Sequence, residues 1–477
     1  MKKFKLLLLL SFLGGGVYAE DSIAFHDPAE YLSGELPILY INTDSCKEVT
    51  SKEYYITGSY YLDANGVEGY ESIGSADKPL ALQIKGRGNT TWRYAKKPFR
   101  LKLDKKAALL GMTKSKHFVL LNHIDNKYAM FQDEMGFELS RRIGLEYTPR
   151  QLPLELVFNG DYRGLYMLAE KIRVDSDHVN IVEQNDEETD PELVTGGWLM
   201  EIDNFDDDAQ IRMHEKNGGW LRFTYHSPEV LSTVQYNYLY NLCSNFNNVV
   251  YSKDKSISDL EDLVDLDALA RFYLVNEILG NVESFVGSCY WHKDRGNDAK
   301  IVFGPVWDFG ASFSYSHAMA NDDFLFKVTP ANHFIGDLMK FPCFLEKVQQ
   351  IWNEERDNLY DGLDTYLDNW CNNISNAGKS DLRRWGGGWN NNVLYYKNVY
   401  MNMILQKAGF LDTAIPNLIL LNKYDVNKDG IASISDLTTI ICAIEGPNEY
   451  RNNCDIDKDG DVTVADLTLE INYLMSE

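Results

Sequence analysis

Two twelve-residue segments near the end of the chain repeat one spacing of oxygen-bearing side chains. Asp425, Asn427, Asp429, Ser433 and Asp436 fill positions 1, 3, 5, 9 and 12 of the first, with Gly430 at position 6. Asp455, Asp457, Asp459, Thr463 and Asp466 fill the same positions of the second, with Gly460 at position 6. Alternate side chains in such a loop converge on one hard cation, and the glycine permits the sharp turn. Ile431 and Asp461 stand at position 7, which contributes a backbone carbonyl. This is the EF-hand calcium pattern, with Asp in place of the usual Glu at position 12, and two Ca2+ sites are expected. A short amphipathic helix follows each loop, and neither loop is expected to have a long helix before it.

The loops sit in a strongly acidic stretch. Residues 421–477 hold 12 acids and 4 bases, within a chain of 477 residues and net charge −25. That balance argues against a general nucleic-acid binder, which needs a basic surface. The opposite anomaly lies upstream. Between Lys85 and Lys106 there are nine bases and a single acid, Asp104. Within it, Gly86–Trp92 reads as a donor-rich turn, and Lys97–Leu103 alternates as a strand with Phe99, Leu101 and Leu103 on one face. A donor-rich loop followed by a cationic strand suits a polyphosphate. A solvated basic edge strand is the plain alternative.

At the start, Met1–Lys5 is basic, Leu6–Leu13 is apolar and Val17-Tyr-Ala19 is a small-x-small site, the pattern of a cleaved signal peptide over residues 1–19. No other apolar run is expected to span a membrane. The protein is expected outside the cell. Seven cysteines form no metal spacing, and Cys442 with Cys454 is the expected disulfide if one forms.

Strands dominate the first 200 residues and helices the rest, so an α+β fold with two lobes is expected. Lys127–Ile143 reads as a helix, Leu152–Phe158 with Tyr162–Glu170 as a hairpin, and Lys300–Trp307 as a strand. Glu283 and Ser288 are five residues apart, and Asp308-Phe-Gly310 follows. Protein kinases place a catalytic Asp five residues before a metal-binding Asn, then an Asp-Phe-Gly whose Asp holds magnesium.

The ordered set Arg87-Gly-Asn-Thr-Thr-Trp92, Lys96-Lys-Pro-Phe-Arg-Leu-Lys102, Asn159-Gly-Asp-Tyr-Arg-Gly-Leu-Tyr166 ending in Glu170, and Gly304-Pro-Val-Trp-Asp-Phe309 resembles the spore-coat CotH kinase-like family. The two loop–helix units resemble a type I dockerin. The resemblance implies a divergent bilobal protein-kinase-like domain over residues 36–395, a linker over 396–421, and a small all-α EF-hand-type dockerin domain over 422–477. It also implies ATP and Mg2+ or Mn2+ as cofactors. Asp308 would be the magnesium ligand and Ser288 would stand at the second metal position. Glu283 stands where the family commonly has a catalytic Asp. Lys102, or else Lys97, would pair with the phosphates, which Arg87 and Asn89 would face, and Glu170 would line the site. Glu134 or Glu138 would hold the lysine. The dockerin resemblance implies a cohesin partner met through Ile434, Ser435, Val464 and Ala465 at positions 10 and 11 of the loops. The implied protein is secreted and attached to a polysaccharide-degrading complex at a bacterial surface. It would phosphorylate hydroxyl side chains of a secreted protein, or act there as a catalytically silent binding module.

Overall fold

The computed structural model describes residues 25–476, apart from 125, 207–208, 216–217, 256–258, 314–321, 329–333 and 387–391. The signal-peptide expectation lies outside the described residues.

Seven strands come first: β1 (Ile38–Thr43), β2 (Ile56–Asp63), β3 (Leu80–Gly86), β4 (Phe99–Ala107), β5 (Ser115–Leu121), β6 (Gln151–Phe158) and β7 (Asp161–Glu170). They close into a barrel in the order β1-β2-β3-β4-β5-β7-β6. Two lobes were expected, but the first region is closed rather than open, because β1 pairs in parallel with β6, Ile38 opposite Glu155. Strict alternation explains the interior. Leu82, Ile84, Phe99, Leu101, Leu103, Phe118 and Leu120 fill one core, and the polar residues between them point outward. Helix α1 (Gln132–Ile143) lies between β5 and β6 and ends on Gly144 in the left-handed conformation.

A second sheet runs β12-β11-β8-β10-β9, from β8 (Trp198–Ile202), β9 (Gln210–His214), β10 (Trp220–Ser227), β11 (Cys289–Lys293) and β12 (Val302–Phe303). The strand expected over Lys300–Trp307 is thus only two residues long. Trp198, Met200 and Ile202 join the main helical core, while Leu199 packs on the opposite face with Ile172, Val179 and Tyr290. Glu201 shares that opposite face by the two-residue period.

Among the described residues, five longer helices follow: α2 (Thr233–Val250), α3 (Leu266–Ile278), α4 (Pro342–Tyr360), α5 (Leu363–Trp385) and α6 (Val393–Tyr424), with shorter ones between them. The segment 396–421, expected as a linker, is the middle of α6, a single 32-residue helix with Pro416 inside it. Tyr400, Ile404, Ala408, Leu411 and Ile415 bury one side of it, which a free linker could not do. α6 is also long and apolar enough to cross a membrane, a property the sequence reading did not assign. Its Lys407 is fully buried against Glu277, and its Lys397 pairs with Asp364 and Asp368. The Lys407–Glu277 pair belongs to a protein interior, while Asp364 and Asp368 are exposed.

α6 runs straight into the first calcium-type loop, so that loop does have a long helix before it. The acidic segment adds α7 (Ile434–Glu445) and α8 (Val464–Ser476) over a small core of Val426, Ile440, Ala443, Cys454, Ile456 and Val462. All seven cysteines are free thiols. Cys454 is buried in this core while Cys442 is exposed, so the expected pair does not meet.

Candidate functional site

The centre of interest is the turn at Asp308, where the second sheet meets the barrel. Asp308 holds a left-handed backbone at φ 60° although it is not glycine. A side chain in that conformation costs about 1–3 kcal/mol and persists only where its surroundings hold it. They do so here from three elements. Asp133, in the first turn of α1, accepts the Phe309 N–H at 2.8 Å. Asn281, just after α3, donates to the Asp308 carbonyl at 3.1 Å. Asn126 donates to the Gly310 carbonyl at 3.2 Å. Phe309 is buried against Gly136 of α1, where an added Cβ would lie 2.1 Å from the ring.

The Asp308 side chain is open to solvent, yet protein atoms crowd around it. Burial raises its carboxyl, opposed by the Gly310 N–H and by Arg87, and raised further by Glu201. Arg87 extends from the end of β3. Burial lowers its guanidinium, and Asp308, Tyr290, Asp133 and Glu201 oppose that shift without cancelling it. It also lies 6.0 Å from the Trp307 ring centroid. Cation, carboxylates and an aromatic therefore converge where barrel and second sheet meet.

Sequence reasoning missed four members of this group. Glu201 Oε2 lies 2.7 Å from His226 Nε2, whose N–H it can accept, and it faces Tyr290 across the β8–β11 pair. Burial and Glu201 raise the Tyr290 hydroxyl well above its ordinary value. Asp203, two residues further on the same side, is pushed up to about 6 by burial and by Glu201. Asp133 was hidden inside an expected helix. The available signal was Glu201 and Asp203, two carboxylates at strand spacing in an otherwise apolar run.

The expected residues disperse. Glu283 is exposed in the loop between α3 and β11, and Ser288 ends that loop at φ 52°. Asn89 accepts from Lys52 at 3.0 Å on the surface. Lys97 donates to the Trp92 carbonyl at 2.7 Å and lies over its ring. Lys102 is exposed on the outer face of β4. Neither helix glutamate meets it: Glu134 binds Arg141 and Tyr366, each at 2.6 Å, and Glu138 binds Arg141 and Arg142. Glu170 is buried and accepts from the Arg150 N–H at 3.0 Å. A separate cavity of about 210 Å3, lined by Tyr147, His178, Arg271 and His292, contains none of these residues.

The two acidic loops match bond for bond. Asp425 accepts the N–H of Asp429 and Gly430 at 3.0 and 2.8 Å, and Asp455 accepts those of Asp459 and Gly460 at 3.1 and 3.0 Å. The position-12 carboxylates of Asp436 and Asp466 are buried and take the N–H of Ser433 and Thr463 at 2.9 and 2.8 Å. In the second loop the carboxylate oxygens of Asp455, Asp457 and Asp459 lie within 4.8 Å of one another. Hard oxygen donors gathered around one point fit Ca2+, and Asn427 and Ser433 add neutral donors in the first loop. Ile434 and Val464 are 76% and 66% exposed beside them.

A comparison with curated proteins finds no match. A family description, dockerin type I domain, matches residues 423–475, and such domains bind calcium and a cohesin module. Another, CotH kinase protein, matches residues 84–402, which takes in Arg87, Glu201, Tyr290 and Asp308. That match covers well over half of the chain, which therefore belongs to the CotH kinase protein family and carries a dockerin type I domain after it.

Proposed function

We propose that this is a secreted atypical protein kinase that transfers a phosphoryl group from ATP to hydroxyl side chains. Its dockerin would attach it, with Ca2+ bound in both loops, to a cohesin on the scaffold of a polysaccharide-degrading complex. The observation that carries the kinase reading is the strained, triply anchored turn that presents Asp308 opposite Arg87. The order of elements supports it: a helix, a loop bearing Glu283 and Ser288, two short strands, then Asp308.

A divalent cation fits this group, because burial and the nearby Glu201 raise the cost of ionising Asp308 and a cation would relieve it. Asp308 would hold Mg2+ or Mn2+, with Ser288 as a neutral second ligand, and the metal would neutralise phosphate charge. Arg87 would bind the transferring phosphate. Asn89 and Lys97 belong to the loop that would cover the phosphates, while Glu170 would support the barrel wall beneath. The acceptor oxygen would attack the terminal phosphorus, the bond to the bridging oxygen would break, and ADP would leave. Glu283 would take the hydroxyl proton. Catalysis of this kind rests on positioning and charge neutralisation.

The test is incubation with labelled ATP and manganese or magnesium. Label should enter a hydroxyl acceptor or the protein itself, and Asp308→Ala should abolish it. Absence of label together with absence of nucleotide binding by calorimetry would sink the reading. One observation favours a silent binding module instead: a longer Glu283 and a neutral Ser288 stand where kinases use Asp and Asn. That module would bind nucleotide without turnover.

A further inference from the structure

The nine bases between Lys85 and Lys106 do not act as one patch. Lys96 is buried against Asp381, Lys97 is held by Trp92, and Arg87 faces Asp308. Lys85, Arg100 and Lys102 point outward from the barrel, because Ile84, Leu101 and Leu103 beside them point in. The register sets Lys85 opposite Arg100 and Lys102 opposite His117. Lys171 joins them, one residue beyond the Phe118–Glu170 pair.

These cations feel one another. Burial lowers Lys171 to about 8, with Arg100, Arg173 and Lys85 adding to it and Glu229 opposing. His117 is lowered to about 4 by burial, then by Lys171, Arg100, Arg173 and Lys102. Among the described residues no carboxylate lies within 4.0 Å of Lys85, Arg100, Lys102 or Lys171. Arg173 alone is paired, to Asp175 at 3.4 Å. Arg100 Nε and His117 Nδ1 are buried atoms without a hydrogen-bond partner. Tyr55 lies 5.0 Å from Lys85 Nζ and hydrogen-bonds Arg100. Glu53 and Glu229 act on Lys85, and Glu229 on Lys171, without forming an ion pair with either, and like charges so gathered are costly unless a ligand brings closer counter-charge.

The cluster continues the Asp308 site. Lys85 is two residues before Arg87, which follows the last residue of β3, so the two are about 7 Å apart at strand rise. From β3 to β7 the cations cross three strand spacings, about 14 Å. A span of 14 Å equals about four extended residues.

We propose that Lys85, Arg100, Lys102 and Lys171 form an anion subsite that recognises acidic side chains flanking the hydroxyl group to be phosphorylated. This rests on the kinase reading for the phosphorylated residue, but not for binding itself. An extended acidic segment would lay its carboxylates along the cation row and leave its hydroxyl at Arg87 and Asp308.

The probe is a fluorescein-labelled peptide of alternating Glu and Ser, titrated by anisotropy into the full chain without nucleotide. Wild type and Asp308→Ala should bind it equally, and added salt should weaken it. Lys102→Ala with Lys171→Ala should weaken it about tenfold or more, the loss expected for charge-assisted hydrogen bonds. The same variant should keep its affinity for ATP by calorimetry, and Lys85→Gln serves as a second, milder variant. If transfer occurs, KM for the peptide should rise with kcat unchanged. Failure of wild type to bind, unchanged binding in the variants, or an equal loss of ATP affinity would overturn the subsite. So would preference for polygalacturonate over the peptide. Peptide binding that persists without any transfer would leave the subsite standing and count against the kinase reading.

Discussion

Lys96 and Asp381 supply a decisive perturbation. Lys96 Nζ lies 2.7 Å from Asp381 Oδ1, and both side chains are essentially inaccessible. Lys96 also donates to the Leu165 carbonyl and lies 4.8 Å from the Tyr166 ring centroid. Asp381 Oδ1 accepts the Leu165 N–H at 2.9 Å, so the pair ties α5 to β7 of the barrel. Burial lowers Lys96 and raises Asp381, and each is held ionised by the other. Lys96→Met leaves an uncompensated carboxylate in the interior, which costs about 3–5 kcal/mol. That is about two to four decades in the ratio of folded to unfolded protein. Lys96→Met with Asp381→Leu removes both charges and should recover most of the loss, less about 1–3 kcal/mol for the orphaned Leu165 N–H. Urea denaturation followed by tryptophan fluorescence measures all three proteins, and calorimetry measures ATP binding by the folded variants. If the double variant is as unstable as the single one, the pair is not coupled. If Lys96→Met folds like wild type but loses ATP, Lys96 belongs to the nucleotide site and the structural role argued here is refuted.

Gly136→Ala should drive Phe309 away from α1 and shift Asp308. Overpacking of about 1–3 kcal/mol outweighs about 1 kcal/mol gained in helix propensity, and transfer should fall about a hundredfold in the labelled-ATP assay. His292 is buried and lowered to about 4, so it is neutral in the fold and charges more readily when unfolded. The unfolded chain therefore binds more protons between pH 6.5 and 4. The contribution of His292 to stability, full above pH 6.5, should fall by about 3 kcal/mol as pH drops through that window, and His292→Gln should make the denaturation midpoint less steep there, the remaining slope including His117 and His123. Calcium at a hundred times its Kd should stabilise the dockerin by about 2.7 kcal/mol, seen as a higher Tm by circular dichroism and abolished by chelator. Ile434→Asp and Val464→Asp should leave Tm within about 0.5 kcal/mol of wild type. In cohesin pull-down the double variant should lose binding.

Legibility followed periodicity. The barrel strands β4, β6 and β7 were readable because a two-residue alternation exposes which face is buried, and the calcium loops because a cation dictates each ligand position. Closure of the barrel was not readable, since the parallel β1–β6 pair joins segments more than a hundred residues apart. The helix α6 was hidden by Pro416 and by an expectation of a linker before an acidic module. Asp308 and Arg87 were singled out from motif context. Glu201, Asp203 and Asp133 escaped because each sits within an ordinary strand or helix, and only the packing of β8, β11 and α1 brings them together. The nine-base stretch misled by proximity: strand alternation sends neighbouring cations to different places.

The dockerin touches the large body through polar contacts at its loops. Position 4 of each loop is a lysine, Lys428 and Lys458, in left-handed backbone. Lys340 of the large body donates to the Lys428 carbonyl at 2.9 Å, and Lys458 reaches Glu346 at 3.3 Å. Lys253 pairs with Glu449 at 2.8 Å. With α6 entering the first loop unbroken, the module is seated on the body along the position-4 side of both loops. Positions 10 and 11 lie on the other side, where Ile434, Ser435, Val464 and Ala465 are all exposed. The body therefore covers neither of the pairs proposed to face a cohesin. On the proposed docking mode, a cohesin could then meet either loop without displacing these contacts between the module and the body.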